Sequence, residues 1–241
     1  MIYHLDQTTS TNDDARDAKY LHGDIIRAER QSAGRGQRGH SWTSAEGKNL
    51  LFSVVLEPTF LPVGEQFLLS EVVALALTDA LSSYGITAKI KWTNDIYVGE
   101  RKVVGILIEH HYAGSCLSRT IVGIGINVNQ ESFDPSLPNP ASMKQLRAMD
   151  FDRDEVLVRV QTALMARYAQ LEKGEKAALQ ADYRAQMYRL GEIHPFRYPD
   201  GTPTQAAIQG VKPSGELLLQ HSDGQIRAYL FKEIEFVIDK G

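Results

Sequence analysis

Apolar and polar residues alternate with two different periods along the first 130 residues. IYHL (2–5) and DIIRAE (24–29) are short β-rich runs, and between them lies Ser10-Thr11-Asn12, followed by acidic Asp13 and Asp14. That stretch predicts a helix start, with a capping residue and carboxylates placed to complement the helix dipole. NLLFSVVLE (49–57) reads as a strand ended by Pro58. Residues 64–84 predict a helix whose middle, VVALAL, is apolar on all sides and therefore buried. AKIKW, KVVGILIEH and SRTIVGIGINV are strand-like, and the last two are too continuously apolar to face water on one side. Pro135, Pro138 and Pro140 place a loop over residues 131–145. DRDEVLVRVQTALMARYAQLE (152–172) has amphipathic helical spacing, and a second helix is predicted from Lys176 to about Tyr188. After Gly191 the chain changes to short β runs such as LLLQH and AYLF, separated by Gly201, Gly210, Gly215 and Gly224.

Composition narrows the class. The 241 residues are 43% apolar, enough for a real core, and the length suits one large domain with or without an appendage. A single cysteine, Cys116, excludes an internal disulfide framework and a cysteine-based zinc site, and fits a reducing compartment. The first residues lack a basic-then-apolar leader pattern, and no run approaches 18 apolar residues, so a soluble cytoplasmic protein without membrane contact is expected. The net charge of −4 argues against a general nucleic-acid binder.

Against that acidic background one stretch is basic. RAERQSAGRGQRGH (27–40) carries four arginines and one glutamate. Gly34-x-Gly36-x-x-Gly39 formally satisfies a dinucleotide fingerprint, and Gly34 and Gly39 nearly satisfy a Walker A pattern. Both readings fail on context. A dinucleotide loop must open a helix whose N–H groups hold the pyrophosphate, whereas this one runs into HSWTSAEGKNL, without helical period. Walker A needs a lysine where His40 stands. A solvated basic loop with turn glycines is the plain alternative. Yet glycine lets backbone approach an anion and arginine supplies fixed charge, so the loop suits a phosphorylated small molecule over which it would order.

Three further clusters follow. Lys91-Trp92-Thr93-Asn94-Asp95 ends a β run, and Lys102-Val103-Val104-Gly105-Ile106-Leu107 opens a buried-looking strand. Gly123-Ile124-Gly125-Ile126-Asn127 places alternating glycines in an apolar strand, and strand-interior glycine often marks close approach of a ligand or another backbone. Each cluster alone is weak. In this order, with Ser10-Thr11-Asn12 and the Gly-Arg-Gly loop, the set resembles the biotin protein ligases. That family carries a Ser-Thr-Asn helix start, a Gly-Arg-Gly loop, Lys-Trp-Pro-Asn-Asp, Lys-x-x-Gly-Ile-Leu and Gly-x-Gly-x-Asn. All five occur within residues 10–128, and the C-terminal β runs resemble the family's small SH3-like unit. Two departures stand out: Thr93 replaces the proline, and Gln37 and His40 stand where many members have arginine.

The resemblance implies an α+β fold, with a mixed-sheet catalytic domain over 1–189 and an SH3-like β-barrel over 190–241. It implies ATP and biotin as substrates with Mg²⁺, biotinyl-5′-AMP as intermediate, and a lysine of a biotin carboxyl carrier protein as acceptor. Ser10, Thr11, Asn12, Gln31, Gly34, Arg35, Lys102, Gly105 and Gly123 would bind biotin. Arg35, Gly36, Gln37, Arg38, Trp42, Lys91, Asn94 and Asn127 would bind ATP or the adenylate, with Trp42 stacking on adenine and Asn127 reading its edge. Lys102, Arg35, Arg38 and Asp95 would act in catalysis; no side chain is assigned as a direct metal ligand. The resemblance further implies either a monomer or a homodimer. Because the Ser-Thr-Asn motif begins at residue 10, no N-terminal DNA-binding domain and no DNA partner are expected. A lipoate or octanoate ligase or transferase of the same fold is the rival reading. His110-His111 is not taken as a metal pair, since neighbours on a strand point to opposite faces, and Cys116 is expected in a turn.

Overall fold

The computed structural model describes residues 1–39 and 41–238, with the side chain of Arg38 outside that description. A seven-stranded mixed sheet runs in the order β1-β2-β3-β7-β6-β5-β4. Its strands are β1 (Ile2–Thr8), β2 (Ile25–Gln31), β3 (Leu50–Leu56), β4 (Lys89–Lys91), β5 (Asp95–Val98), β6 (Arg101–Ala113) and β7 (Cys116–Ile126). β1 and β2 are parallel and the remaining neighbours antiparallel. One face is covered by α2 (Phe67–Ser82) and α4 (Arg153–Glu172), with α5 (Lys176–Gln186) against α2. Val122, Ile124 and Ile126 of β7 join Leu69, Val73 and Leu77 of α2 in one buried cluster, as the all-round apolar centre of that helix requires. The alternate residues of β7, Gly123 and Gly125, therefore point to the other face, where the site lies.

β8 (Ile193–Arg197), β9 (Pro203–Val211), β10 (Leu217–His221), β11 (Ile226–Tyr229) and β12 (Glu235–Phe236) form a second, antiparallel sheet in the order β11-β10-β9-β8-β12. The fold is thus the expected α+β class with a mixed sheet and a small C-terminal β unit. The turn before β10 closes on the main sheet's helical side: Gly215, at φ +99°, has Phe67 so near that an added Cβ would lie 2.7 Å from its ring. No described helix is long and apolar enough to cross a membrane.

Four local expectations need correction. The helix after β1 is a single turn, α1 (Thr11–Asp14), and the Ser10 side chain makes no capping bond. The 64–84 helix begins later, at Phe67, after a 3₁₀ turn at Val63–Glu65. The proline-marked loop contains a short helix, α3 (Met143–Arg147), held by a capping box between Ser142 and Gln145. Cys116 is not in the turn but opens β7, paired with Ala113. His110 bonds Thr120 Oγ1 at 3.0 Å, and burial pushes its pKa down to about 4, so it is neutral near pH 7.

Candidate active site

Strand register builds the floor of a cleft of about 390 Å³. Asp95, Gly105, Gly125 and Leu51 stand side by side across β5, β6, β7 and β3, and the next inward-facing row holds Leu107, Gly123 and Ser53. Where side chains would normally stand, three glycines leave a trough. The Trp42 indole fills part of it: a Cβ at Gly105 would lie 2.5 Å from the ring, and one at Gly125 2.4 Å. Asn12 fills the next position, with its Oδ1 2.3 Å from where a Gly123 Cβ would be. These glycines are required by occupancy of the space above them.

Toward β2 and β3 the cleft is polar and uncharged. Gln31 Oε1 accepts from the Thr11 N–H at 2.7 Å and the Thr11 hydroxyl at 3.1 Å. Ser53 Oγ lies 2.7 Å from Thr11 Oγ1 and 2.6 Å from Asn12 Oδ1. Thr11, Asn12 and Ser53 are all buried, so their mutual bonding answers the cost of removing them from water.

Toward β4 and β5 the character is cationic. Lys102 pairs with Asp95 at 2.7 Å and lies 5.4 Å from the Trp42 ring centroid. Lys91 stacks its ammonium 4.8 Å from the Phe236 ring and 5.3 Å from that of Tyr97. Burial holds Lys91 below the usual lysine range; Asp95 opposes that shift, while Lys102 and Arg189 add to it. Two ammonium groups thus share the field of Asp95, a local excess of positive charge that an anionic ligand would relieve.

Of the residues proposed from the sequence, Ser10, Thr11, Asn12, Gln31, Arg35, Gly36, Gln37, Trp42, Lys91, Asn94, Asp95, Lys102, Gly105, Gly123 and Asn127 all line this cleft. Gly34 supports it from behind, since a Cβ there would lie 2.4 Å from the Trp42 carbonyl oxygen. Asn94 is tied to β6, its side-chain NH₂ donating to the Ile106 carbonyl while its main-chain carbonyl accepts from the Ile106 N–H at 3.0 Å. Arg38 contributes a backbone position in the 3₁₀ turn Gln37–Gly39, but its side chain, like all of His40, lies outside the described residues. No α-helix opens at the end of the glycine loop among those residues, consistent with rejecting the dinucleotide reading. The Trp92–Thr93 peptide is cis, where the family pattern has proline.

Sequence reasoning missed two parts of the wall and one buried residue behind it. Ser53 carried no motif, yet β3 pairing places it beside Gly123. Phe133 and Leu137–Pro140 come from the proline loop, which is pinned to the site by Lys102 N–H donating to Asn139 and Ala141 N–H to Lys102. Phe231 comes from the second sheet unit, as does the Gly215 carbonyl that accepts from Trp92 Nε1 at 2.8 Å. The prolines at 135–140 were the available signal for the second group; nothing local signalled the others.

Comparison with known proteins agrees with this geometry. Residues 2–127 match the model of the biotin/lipoate A/B protein ligase family. The biotin–[acetyl-CoA-carboxylase] ligase of Paracoccus denitrificans is 34% identical over 231 residues, 92% of this chain and 95% of that protein. The bifunctional ligase/repressor BirA of Bacillus subtilis is 29% identical over 235 residues, 95% of this chain but 72% of its own length. The biotin protein ligase of Aquifex aeolicus, solved with biotin and ATP, superposes with a TM-score of 0.83 at 27% identity, covering 99% of both chains. With the motif-bearing residues gathered in one cleft and more than half the chain matched by the family model, this chain belongs to the biotin/lipoate A/B protein ligase family.

Proposed function

We propose that the protein is an ATP-dependent biotin protein ligase, which activates biotin as biotinyl-5′-AMP and transfers it to a lysine of a biotin carboxyl carrier protein or domain. The observation that carries this reading is the polarity of the cleft: an uncharged hydrogen-bonding end at Thr11, Gln31 and Asn12, and a cationic end at Lys91 and Lys102. A ureido ring suits the first and phosphates the second. Full-length similarity to ligases named for biotin supports the same choice.

In the first step the biotin carboxylate attacks the α-phosphate of ATP, forming the mixed anhydride and releasing pyrophosphate. Two anions must meet, and Lys102, at the floor beside Trp42, is placed to neutralise the charge that develops there. Lys91, Arg35 and Gln37 line the same cleft, and Trp42 offers its ring to the base or the biotin chain. No group of three or more His, Cys, Asp or Glu residues forms a metal cage among the described residues, and Asp95 is the acidic residue lining the cleft. A Mg²⁺ carried in on the ATP phosphates would find Asp95 as the nearby carboxylate and would supply charge neutralisation there. In the second step the acceptor lysine amine attacks the acyl carbon and AMP leaves. The loop over 31–42 would keep water from the anhydride in between.

Biotin-dependent exchange of pyrophosphate into ATP tests the reading, with lipoate and octanoate as controls. Exchange with biotin alone is expected. Exchange with lipoate or octanoate and none with biotin would replace it by the lipoate or octanoate alternative.

A further inference from the structure

Glu109 lies on β6 two residues beyond Leu107, on the same face as the floor glycines and level with Ile121 of β7. It does not line the cleft. Its carboxylate nevertheless collects three donors, two of which, Arg16 and Arg35, also face the Asp13 carboxylate while Asn12 does not. Asn12 Nδ2 donates at 2.8 Å, Arg16 Nη2 at 2.8 Å and Arg35 Nη2 at 3.3 Å. Asp13 adds a second hold on Arg35 at 2.8 Å. Asn12 is buried and packed over Gly123, whereas Arg35 belongs to the glycine loop.

Resting on the ligase reading above, we infer that Glu109 is a positioning residue that fastens the base of the glycine loop to the uncharged end of the cleft, acting through Arg35 and Asn12. Two consequences follow from the chemistry. A carboxylate can only accept, so Glu109, together with the Leu107 carbonyl at 3.3 Å, fixes the Asn12 amide with its NH₂ toward β6 and its oxygen toward Ser53. The same charge, with Asp13, holds the Arg35 guanidinium at the sheet, while Gly34 and Trp42 close the loop's neck through the Trp42 N–H to Gly34 carbonyl bond at 2.9 Å. The loop beyond Arg35 is thereby hinged at a defined point over the floor. Neither effect requires Glu109 to touch substrate.

The test has two arms. In the unliganded protein, Glu109→Ala should speed tryptic cleavage after Arg35 or Arg38 by about fivefold, the loss of roughly 1 kcal/mol of partly exposed ion pairing. Unchanged cleavage overturns the proposal whatever the substrate proves to be. In biotin-dependent pyrophosphate exchange, Glu109→Gln should raise the KM for biotin about fivefold with kcat within about twofold, and adding it to Arg35→Gln should cause no further loss beyond that of Arg35→Gln alone. Additive effects, or a fall in kcat at constant KM, would assign Glu109 another role. Absence of biotin-dependent exchange in the unaltered enzyme would instead remove the ligase reading, leaving the cleavage arm to decide Glu109.

Discussion

The floor of the cleft and the loop over it are both rich in glycine, for opposite reasons. At Gly105, Gly123 and Gly125 the backbone is ordinary strand and the space is taken, by Trp42 or Asn12. At Gly39 the space is empty, with nothing within 4 Å of an added Cβ, but φ is +88°. A methyl group is excluded from the floor, and from Gly34 at the loop's neck, by packing, and from Gly39 by backbone conformation. The floor is therefore a surface shaped by what rests on it, and the loop a path shaped by its own turns.

Substitutions can break or sharpen that contrast. The largest effect is expected at Lys102, the cation that stands on the floor. Lys102→Ala should cut the rate of biotin-dependent pyrophosphate exchange by about 10²–10³ with little change in melting temperature. Near-normal exchange would remove Lys102 from the chemistry and leave the floor purely steric.

Next comes the helix behind the floor. Glu71 of α2 is buried, and burial raises its carboxyl pKa from the usual 4.5 to about 7. The folded protein then keeps a proton that the unfolded chain releases near 4.5. Stability is fully present below that pH and falls as the pH rises through 7, by up to about 3 kcal/mol. Melting curves from pH 5 to 8 should show this decline in the natural chain and lose most of it in Glu71→Gln. An unchanged pH slope in the variant would show that Glu71 is not its source.

The two glycine classes separate most directly by alanine. Gly125→Ala should displace Trp42 and lower exchange by about 10–100-fold, the equivalent of an overpacking cost of roughly 1–3 kcal/mol. Gly39→Ala meets no neighbour and should cost about 1 kcal/mol through its φ alone, a change of about fivefold or less. If both alanines behave alike, the distinction between occupied space and backbone conformation fails.

The same contrast explains what could be read from the sequence. The five motifs were legible because each is local: a glycine spacing, a lysine at a strand start, a Ser-Thr-Asn at a chain turn. The alternation of sheet and helix was legible from period, and the C-terminal β unit from its turn glycines. What was illegible depended on register between distant strands. Ser53 and Glu109 acquire their roles only because β3 and β6 pair with β7 at Gly123 and Ile121. Ser10 read as a helix cap, yet the helix is one turn long and its hydroxyl makes no cap bond. Asn94 read as a ligand and does line the cleft, with its side-chain NH₂ also donating to the Ile106 carbonyl across the strand pairing. Phe231 reaches the cleft from more than 100 residues beyond the last motif.

The sequence contains two tryptophans, and both line this cleft from opposite origins. Trp42 lies on the glycine floor beside the Lys102 ammonium, and Trp92 donates to the Gly215 carbonyl with the Phe231 ring 6.1 Å away. The tryptophan emission of the protein therefore comes entirely from this cleft. One indole reports on the neighbourhood of the lysine and the other on the seam with the C-terminal sheet. With Trp42→Phe and Trp92→Phe the two signals separate, so occupancy of the cleft and movement of the seam can be timed independently, in one unlabelled molecule.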